Sequence, residues 1–560
     1  LKKGGTLLNI NGINRRNKSA KEQQGASVHE DTRIPRLTDD LDQTLDQIDN
    51  ELGHSPDLKI RQVKIGGESP VQAVVIHLNG LVNKETVDEF VIGSLLGITD
   101  EMLKENISAT NDLKEFVLNR ALEIGQAQLQ EEWNEVLLAI LSGKTVILIE
   151  GYDSAIVCET EGGEARSVSE PSTQLVVRGP KDSFVESVAT NISLIRRRIK
   201  SSKLRLEHLK IGKVTHTDVA LMYIKDNADE KLVEEVRNRL QQINVDAIME
   251  SGYIEELIQD KTFTPFPTIN NSERPDVAAT NLLEGRVVII IDGTPFVLIL
   301  PAVFTLFFQS ASDYAQRFDI AILMRLVRYI SFIVLILGPS VYIALTTYHY
   351  EMIPTTLLIN LLSQRENVPF PAFVEAILME GAFEIIREAG VRMPRAVGQT
   401  VSVVGALILG QAVVEAGIIT PVMVIVVALT GIASFAIPAY NMAIAGRIIR
   451  FGFLVLAGMF GFYGITLGLI VLLAHMNSLR SFGVPYLSPI VPISSHGQKD
   501  AFLRLPLWAL RTEQVSTTKR QEGISEGKKI STGHEQNISP KILEKSTGAE
   551  HPKKGAQDEE

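Results

Sequence analysis

Only one cysteine, Cys158, occurs in 560 residues. No intrachain disulfide can form, so a secreted, disulfide-stapled architecture is excluded. Cys158 lies in the apolar stretch AIVC, which reads as a small buried side chain in preference to a nucleophile. The N-terminal stretch LKKGGTLLNINGINRRNKSAKEQQ lacks the apolar core of roughly 7–15 residues that a signal peptide needs. The large polar part is therefore expected to stay cytosolic. The acidic balance of the chain, a net charge of −11, argues against a nucleic-acid partner, because phosphate contacts need clustered Lys and Arg. The ten histidines form no HExxH pair, and no GxSxG elbow occurs. SGKT (142–145) lacks the first glycine of a phosphate loop, Leu138 standing in its place, and precedes a strand; it reads as a helix-to-strand turn. No catalytic residue, metal site or cofactor is expected, and no enzyme.

What is present divides sharply. Residues 1–285 hold 33 basic and 46 acidic side chains, a net of −13; residues 286–508 hold 13 and 11. Of those 13 cations only Lys499 is a lysine. The expected fold is an α/β soluble N-terminal region of two small subdomains, followed by an α-helical polytopic membrane domain. The expected division is a disordered arm (1–38), a first subdomain (39–170), a second (171–285), a transmembrane domain (286–508) and a disordered polar tail (509–560). The tail lacks aromatic residues from 511 onward.

Leu41, Leu45 and Ile48 share one face of a helix that stops at Gly53. KIRQVKIG, VQAVVIHL, TVILIEG, SAIVCET and VTHTDVALMYI read as strands, with helical patterns between them. Residues 327–347, 421–441 and 451–474 are long and apolar enough to cross a bilayer, and 397–419 reaches the length. The run VVIIIDGTPFVLILPAVFTLFF (287–308) either spans or dips in and out. One Arg-rich connection holds Arg365, Arg387, Arg392 and Arg395, and another holds Arg447 and Arg450. Placing both in the cytosol gives five crossings; four or six would keep both chain ends there.

Polar residues within the apolar part are the candidate sites. Gln411 lies one turn before Glu415 on the same helix face, and Glu380, Glu384 and Glu388 repeat every fourth residue. Charges there face protein or water, because hydrocarbon does not solvate them. They read either as a solvated interfacial face or as the lining and vestibule of an ion path. Arg196, Arg197 and Arg198 end a helical stretch. They read either as cations complementing its dipole or as a contact to acidic lipid or a neighbouring subunit. Gly464 and Gly468 form a GxxxG pair that allows close helix packing, within or between subunits.

Together these segments resemble the A subunit of spore germination receptors of the GerA family. The likeness runs over roughly residues 40–510. It is carried by EPSTQLVVRGPKDSFVESVATNISLIRRRI (170–199), FPTINNSERPDVAATNLLEGRVVIIIDGTPFVLILP (266–301) and HYEMIPTTLL (349–358). PFPAFVEAILMEGAFEIIREAGVRMPR (369–395), GALILGQAVVEAGII (405–419) and SFGVPYLSPIVP (481–492) continue it in order. SASDYAQRF (310–318) departs from the family's pattern of acidic or aromatic residues.

The resemblance implies a multi-pass protein of the inner spore membrane with its N-terminal domain cytosolic. Its implied partners are a transporter-like B subunit, a lipoprotein C subunit and further copies of itself. It implies nutrient-triggered signal transduction in which A subunits form a ring that releases ions. A non-conducting scaffold that couples the other subunits is the alternative. A secondary transporter is disfavoured, because the spans show no repeated halves.

Overall fold

The computed structural model describes residues 37–67, 70–103, 113–163, 170–171, 174, 176, 178–392, 410–492 and 498–506. The expected arm, apart from Leu37 and Thr38, and the whole expected tail lie outside these residues. So do Arg395 and most of the candidate span 397–419.

Helix α1 (Leu41–Leu52) forms where the apolar spacing predicts it. The Asp40 carboxylate accepts from the Gln43 amide at its start, and Gly53 ends it in the left-handed region. Five antiparallel strands follow: β1 (Leu58–Ile65), β2 (Val71–Leu78), β3 (Ala127–Gln130), β4 (Thr145–Ile149) and β5 (Ala155–Cys158), in the order β1-β2-β4-β5-β3. One sheet face packs on α1 and α2 (Trp133–Ser142), through Ile48, Leu52, Val136 and Ile140. The other packs on helical turns at 86–96 and 113–121, through Val87, Val91, Leu95 and Phe116. Alternate residues of β2, Ala73 and Val75 against Val74 and Ile76, are buried on opposite faces.

The second subdomain repeats this plan. Helix α3 (Val188–Arg198) precedes β6 (Leu204–Ile211) and β7 (Thr217–Ile224). Helices α4 (Glu230–Gln242) and α5 (Ser251–Ile258), strand β8 (Asn270–Ser272) and helix α6 (Pro275–Leu283) come next. The subdomain closes with β9 (Val287–Ile291) and β10 (Val297–Leu300). The sheet order β6-β7-β9-β10-β8 is the first sheet's order again, and every pair is antiparallel. ILSGKTVILIEGYDSAIVC (140–158) and LLEGRVVIIIDGTPFVLIL (282–300) align position by position as helix end, glycine, strand, acidic-glycine turn and strand. The two subdomains are a duplication.

The duplication corrects one expected boundary. Residues 287–300 are central strands of the second sheet and do not cross or dip into a membrane, so this subdomain runs on to Leu300 instead of ending at 285. All nine residues of β9 and β10 are buried. A strand covered on both faces reads as an unbroken apolar run, as a membrane segment does.

A helical unit follows, with α7 (Phe318–Thr347), α8 (Thr355–Arg365), α9 (Ala372–Arg392), α10 (Pro421–Phe435) and α11 (Tyr440–Ser478) around one apolar core. Among the described residues, α7 and α11 are long and apolar enough to cross a bilayer. The expected single span 451–474 is not straight. Gly461 takes φ 57°, ψ −139°, and there the chain doubles back. A Cβ at Gly464 would lie 2.2 Å from the Leu456 carbonyl oxygen, and one at Gly468 would lie 2.9 Å from the Phe453 ring. Those approaches require two antiparallel limbs, 440–460 and 462–478. At 1.5 Å per residue they measure about 31 and 26 Å. The GxxxG pair therefore packs within the chain. A two-stranded ribbon, β11 (Arg480–Ser481) and β12 (Val484–Pro485), closes the unit.

Candidate functional site

Helix α9 presents Glu380, Glu384 and Glu388 to three different environments. Glu380 is fully buried and lies 2.7 Å from the Arg450 guanidinium of α11, itself fully buried. Glu384 is bridged by three arginines: Arg447 at 2.7 Å, Arg450 at 3.1 Å and Arg387 at 3.2 Å. Arg387 also donates to Ser434 on α10 and lies over the Phe383 ring at 4.6 Å. Glu388 pairs with Arg392 on the exposed surface at 2.6 Å. Two carboxylates and three guanidiniums thus join α9, α10 and α11 inside the helical unit.

The Glu380–Arg450 contact is close but poorly directed. Neither Glu380 oxygen has a hydrogen-bond partner, and Arg450 Nε and Nη1 have none. Buried polar groups are nearly always satisfied, so an under-bonded buried ion pair calls for an explanation. Sequence reasoning assigned Arg447 and Arg450 to a cytosolic connection and missed this role. The available signal was their i, i+3 spacing, which puts both on one helix face opposite Glu380 and Glu384.

Gln411 and Glu415 do share a face. Gln411 Nε2 donates to Glu415 Oε1 at 2.8 Å, and both side chains are exposed on the outside of the protomer. Among the described residues, no hydrogen bond or ion pair joins them to the Glu380–Glu384 cluster. A neighbouring carboxylate, Glu375, is buried and accepts from both the amide and the hydroxyl of Thr420, at 2.8 and 2.9 Å. It fixes the start of α10 to the first turn of α9.

Arg196, Arg197 and Arg198 bind within the chain. Arg196 is buried between the subdomains; its Nε donates to Asp57 at 2.6 Å and its Nη2 to Ser55 at 2.8 Å. Arg197 donates to the Gly162 carbonyl at 2.5 Å. Arg198 pairs with Asp182 and donates to the Leu194 carbonyl in the last turn of α3. Two of the three guanidiniums clamp one duplicated subdomain onto the other.

A second buried cluster lies within the helical unit, at the N-terminal half of α7. Asp313 carries a capping box for the short helix Ala311–Ala315 and lies 3.0 Å from Arg325 and 2.8 Å from Arg328, both at the start of α7. Arg325 is fully buried and also pairs with Asp500 at 3.0 Å; Tyr314 donates to the same carboxylate at 2.6 Å. Burial, together with the nearby Asp500 and Glu284 charges, pushes the Tyr314 phenol well above its usual range. Asp313 and Tyr314 lie in the segment 310–318. Beside them lies a cavity of about 290 Å³ lined from both regions, by Arg274, Glu284 and Arg286 on one side and by Gln309, Tyr314 and Pro438 on the other. At the opposite edge, Ser481 of β11 donates to the Thr268 carbonyl at 2.6 Å and accepts from the Ala302 amide at 3.0 Å. The soluble region therefore meets the helical unit at this cavity and at the Ser481 hydrogen bonds.

Residues 46–515 match the family described as Bacillus/Clostridium GerA spore germination protein. Spore germination protein KA of Bacillus subtilis (strain 168) is 50% identical over 504 residues, 90% of each chain. The uncharacterized membrane protein YfkQ of the same organism is 39% identical, over 93% of this chain and 99% of its own. Among solved structures, the N-terminal domain of the A subunit of the Bacillus megaterium spore germinant receptor GerK3 is 38% identical. It covers 48% of this chain and 98% of its own, with a TM-score of 0.38.

Proposed function

This chain belongs to the GerA spore germination protein family, and on that premise we propose that it is the membrane subunit of a nutrient-responsive germination receptor that forms an ion-conducting path. The protein would act in the inner spore membrane with a transporter-like B subunit and a lipoprotein C subunit, as a homo-oligomeric ring. The observation that carries the conducting reading is the buried, under-bonded Glu380–Arg450 pair, with the arginine-bridged Glu384 beside it, between apolar helices. A charge in hydrocarbon costs a few kcal/mol, so such a cluster is kept where it serves a path or a switch. Its open hydrogen-bonding capacity suits an element with two arrangements, whose balance a ligand on a partner subunit can shift. Gln411 and Glu415, exposed on the protomer's flank, would face water or a neighbouring copy, with Glu388 at the vestibule.

The contacts of α7 and α11 support a topology as well. Tyr314, just before α7, shares a cavity with Arg274 and Glu284 of the soluble region, and the end of α11 bonds to Thr264 through His475, whereas Tyr348 meets the turn at Gly461. This favours an even number of crossings, with the soluble region and residues 498–506 on one face of the membrane.

The test is reconstitution with the B and C subunits and measurement of cation flux on adding nutrient. Flux supports the path. A complex that binds nutrient yet stays electrically silent favours the scaffold reading.

A further inference from the structure

The segment between α5 and β8 carries a feature that the receptor reading leaves unused. Phe263 is 93% exposed, the most exposed large apolar side chain among the described residues. It does not stand on a free loop. Before it, Asp260 accepts from the Phe482 amide at 2.5 Å and from Arg239 at 2.7 Å. After it, Thr264 hydrogen-bonds the His475 ring at 3.0 Å, near the end of α11. Phe266 is buried in the core of the helical unit, its ring 6.0 Å from that of Tyr486. Phe263 is therefore a fixed knob beside the last turn of α11. The apolar surface continues from it along the second limb, where Leu473, Val471 and Ile470 are each about 60% exposed.

Two cations flank the knob. Lys261 and Arg480 line one notch of about 470 Å³ at the end of α11, together with Ser478 and Phe482. The acidic groups of that notch, Glu235 and Asp260, are both held by Arg239. Among the described residues, no carboxylate pairs with Lys261 or Arg480. Lys261 stands out on a region, residues 1–285, whose net charge is −13 and which an anionic surface would otherwise repel.

We propose that Lys261, Phe263 and Arg480 form an interfacial anchor for anionic phospholipid: the Phe263 ring enters the headgroup–acyl boundary and the two cations hold the phosphate above it. The proposal rests on the reading of α11 as membrane-embedded. Phe side chains of interfacial segments enter that boundary, and each basic residue near an anionic leaflet adds attraction. The anchor sets the height of the soluble region over the bilayer, and thereby the geometry of its contacts with α7 and α11.

The test uses the full chain in nanodiscs containing phosphatidylglycerol. Cys158 is buried, so Phe263→Cys, Leu473→Cys and Val214→Cys each offer one accessible thiol for a nitroxide label. Accessibility to oxygen against a water-soluble nickel chelate reads depth. The label at 263 is expected about 5–10 Å inside the headgroup boundary, with 473 in the bilayer and 214 in water. A label at 263 that matches 214 while 473 stays in the bilayer overturns the anchor alone. An aqueous label at 473 overturns the membrane reading itself. A label at 263 shielded from both reagents means that protein covers the knob, and also overturns the anchor. Adding Lys261→Glu and Arg480→Glu is expected to move the label toward water with phosphatidylglycerol and to leave it in place in pure phosphatidylcholine. Equal depth in both lipids refutes the headgroup contact.

Discussion

Replacing Glu380 by Gln removes one half of a fully buried ion pair. At 2.7 Å the gross attraction to Arg450 is about 6 kcal/mol at an effective dielectric constant of about 20. Desolvation of both groups cancels much of this, and breaking such a pair usually costs about 3–5 kcal/mol, because the survivor is left buried and charged. Arg450 keeps Glu384 at 3.1 Å, but that carboxylate is shared with Arg447 and Arg387. The expected loss therefore falls at or just below the low end, about 2–3 kcal/mol. Arg450→Met should cost a similar amount by stranding Glu380. The double variant Glu380→Met/Arg450→Met removes both charges and should unfold within about 1 kcal/mol of the parent. The assay is unfolding of the full chain in detergent or nanodiscs, evaluated as a double-mutant cycle. Losses that simply add in the double variant would refute the coupling, and with it the view of the pair as one element.

Further outcomes follow from the same physics. Arg196→Met leaves Asp57 buried without its cation and should cost about 3–5 kcal/mol, with faster hydrogen exchange in β1 and α3; unchanged exchange would remove Arg196 as the clamp between subdomains. Gly461→Ala forces a Cβ to within 2.9 Å of His349 at φ 57° and should cost about 1–3 kcal/mol in the stability of the full chain; a neutral variant would speak against the reversal in α11. Burial, and then the Glu250 charge, push the Glu255 carboxyl from 4.5 up to about 7. The folded state thus holds a proton that the unfolded chain releases. The stability from this group is complete below pH 4.5 and is lost as pH rises through 7. Glu255→Gln should accordingly stabilise the protein at pH 8 by about 1–2 kcal/mol, discounted for partial exposure, and have no effect near pH 4.5. Equal effects at both pH values would refute the assignment.

The first subdomain was the most readable part of the chain, because its signals are local. Asp40, the Leu41–Leu45–Ile48 face and Gly53 define α1 within fourteen residues. The run 287–300 misled because its physics is not local: isoleucines covered by helices on both sheet faces carry no alternation. The reversal at Gly461 was hidden for a related reason. It lies in GMFGFYG, where no polar residue marks a turn, and only the approach of Gly464 to Leu456 reveals it. The candidate site was half legible. Glu380, Glu384, Gln411 and Glu415 announce themselves by charge or polarity in an apolar setting. Arg447 and Arg450, the partners of Glu380 and Glu384, stand more than sixty residues away and are joined to them only by the packing of α11 on α9. The duplication was legible in principle, through SGKTVILIEG and EGRVVIIIDG, once the two runs are set side by side.

The central claim is that this subunit conducts ions through a path lined by its own charged residues. Nutrient-triggered cation flux should be measured in the reconstituted complex with parent protein and with Glu384→Gln and Glu415→Gln, after confirming that each variant assembles. A fall in flux with assembly intact is the predicted result. Flux unchanged in both variants would contradict the assignment of the path.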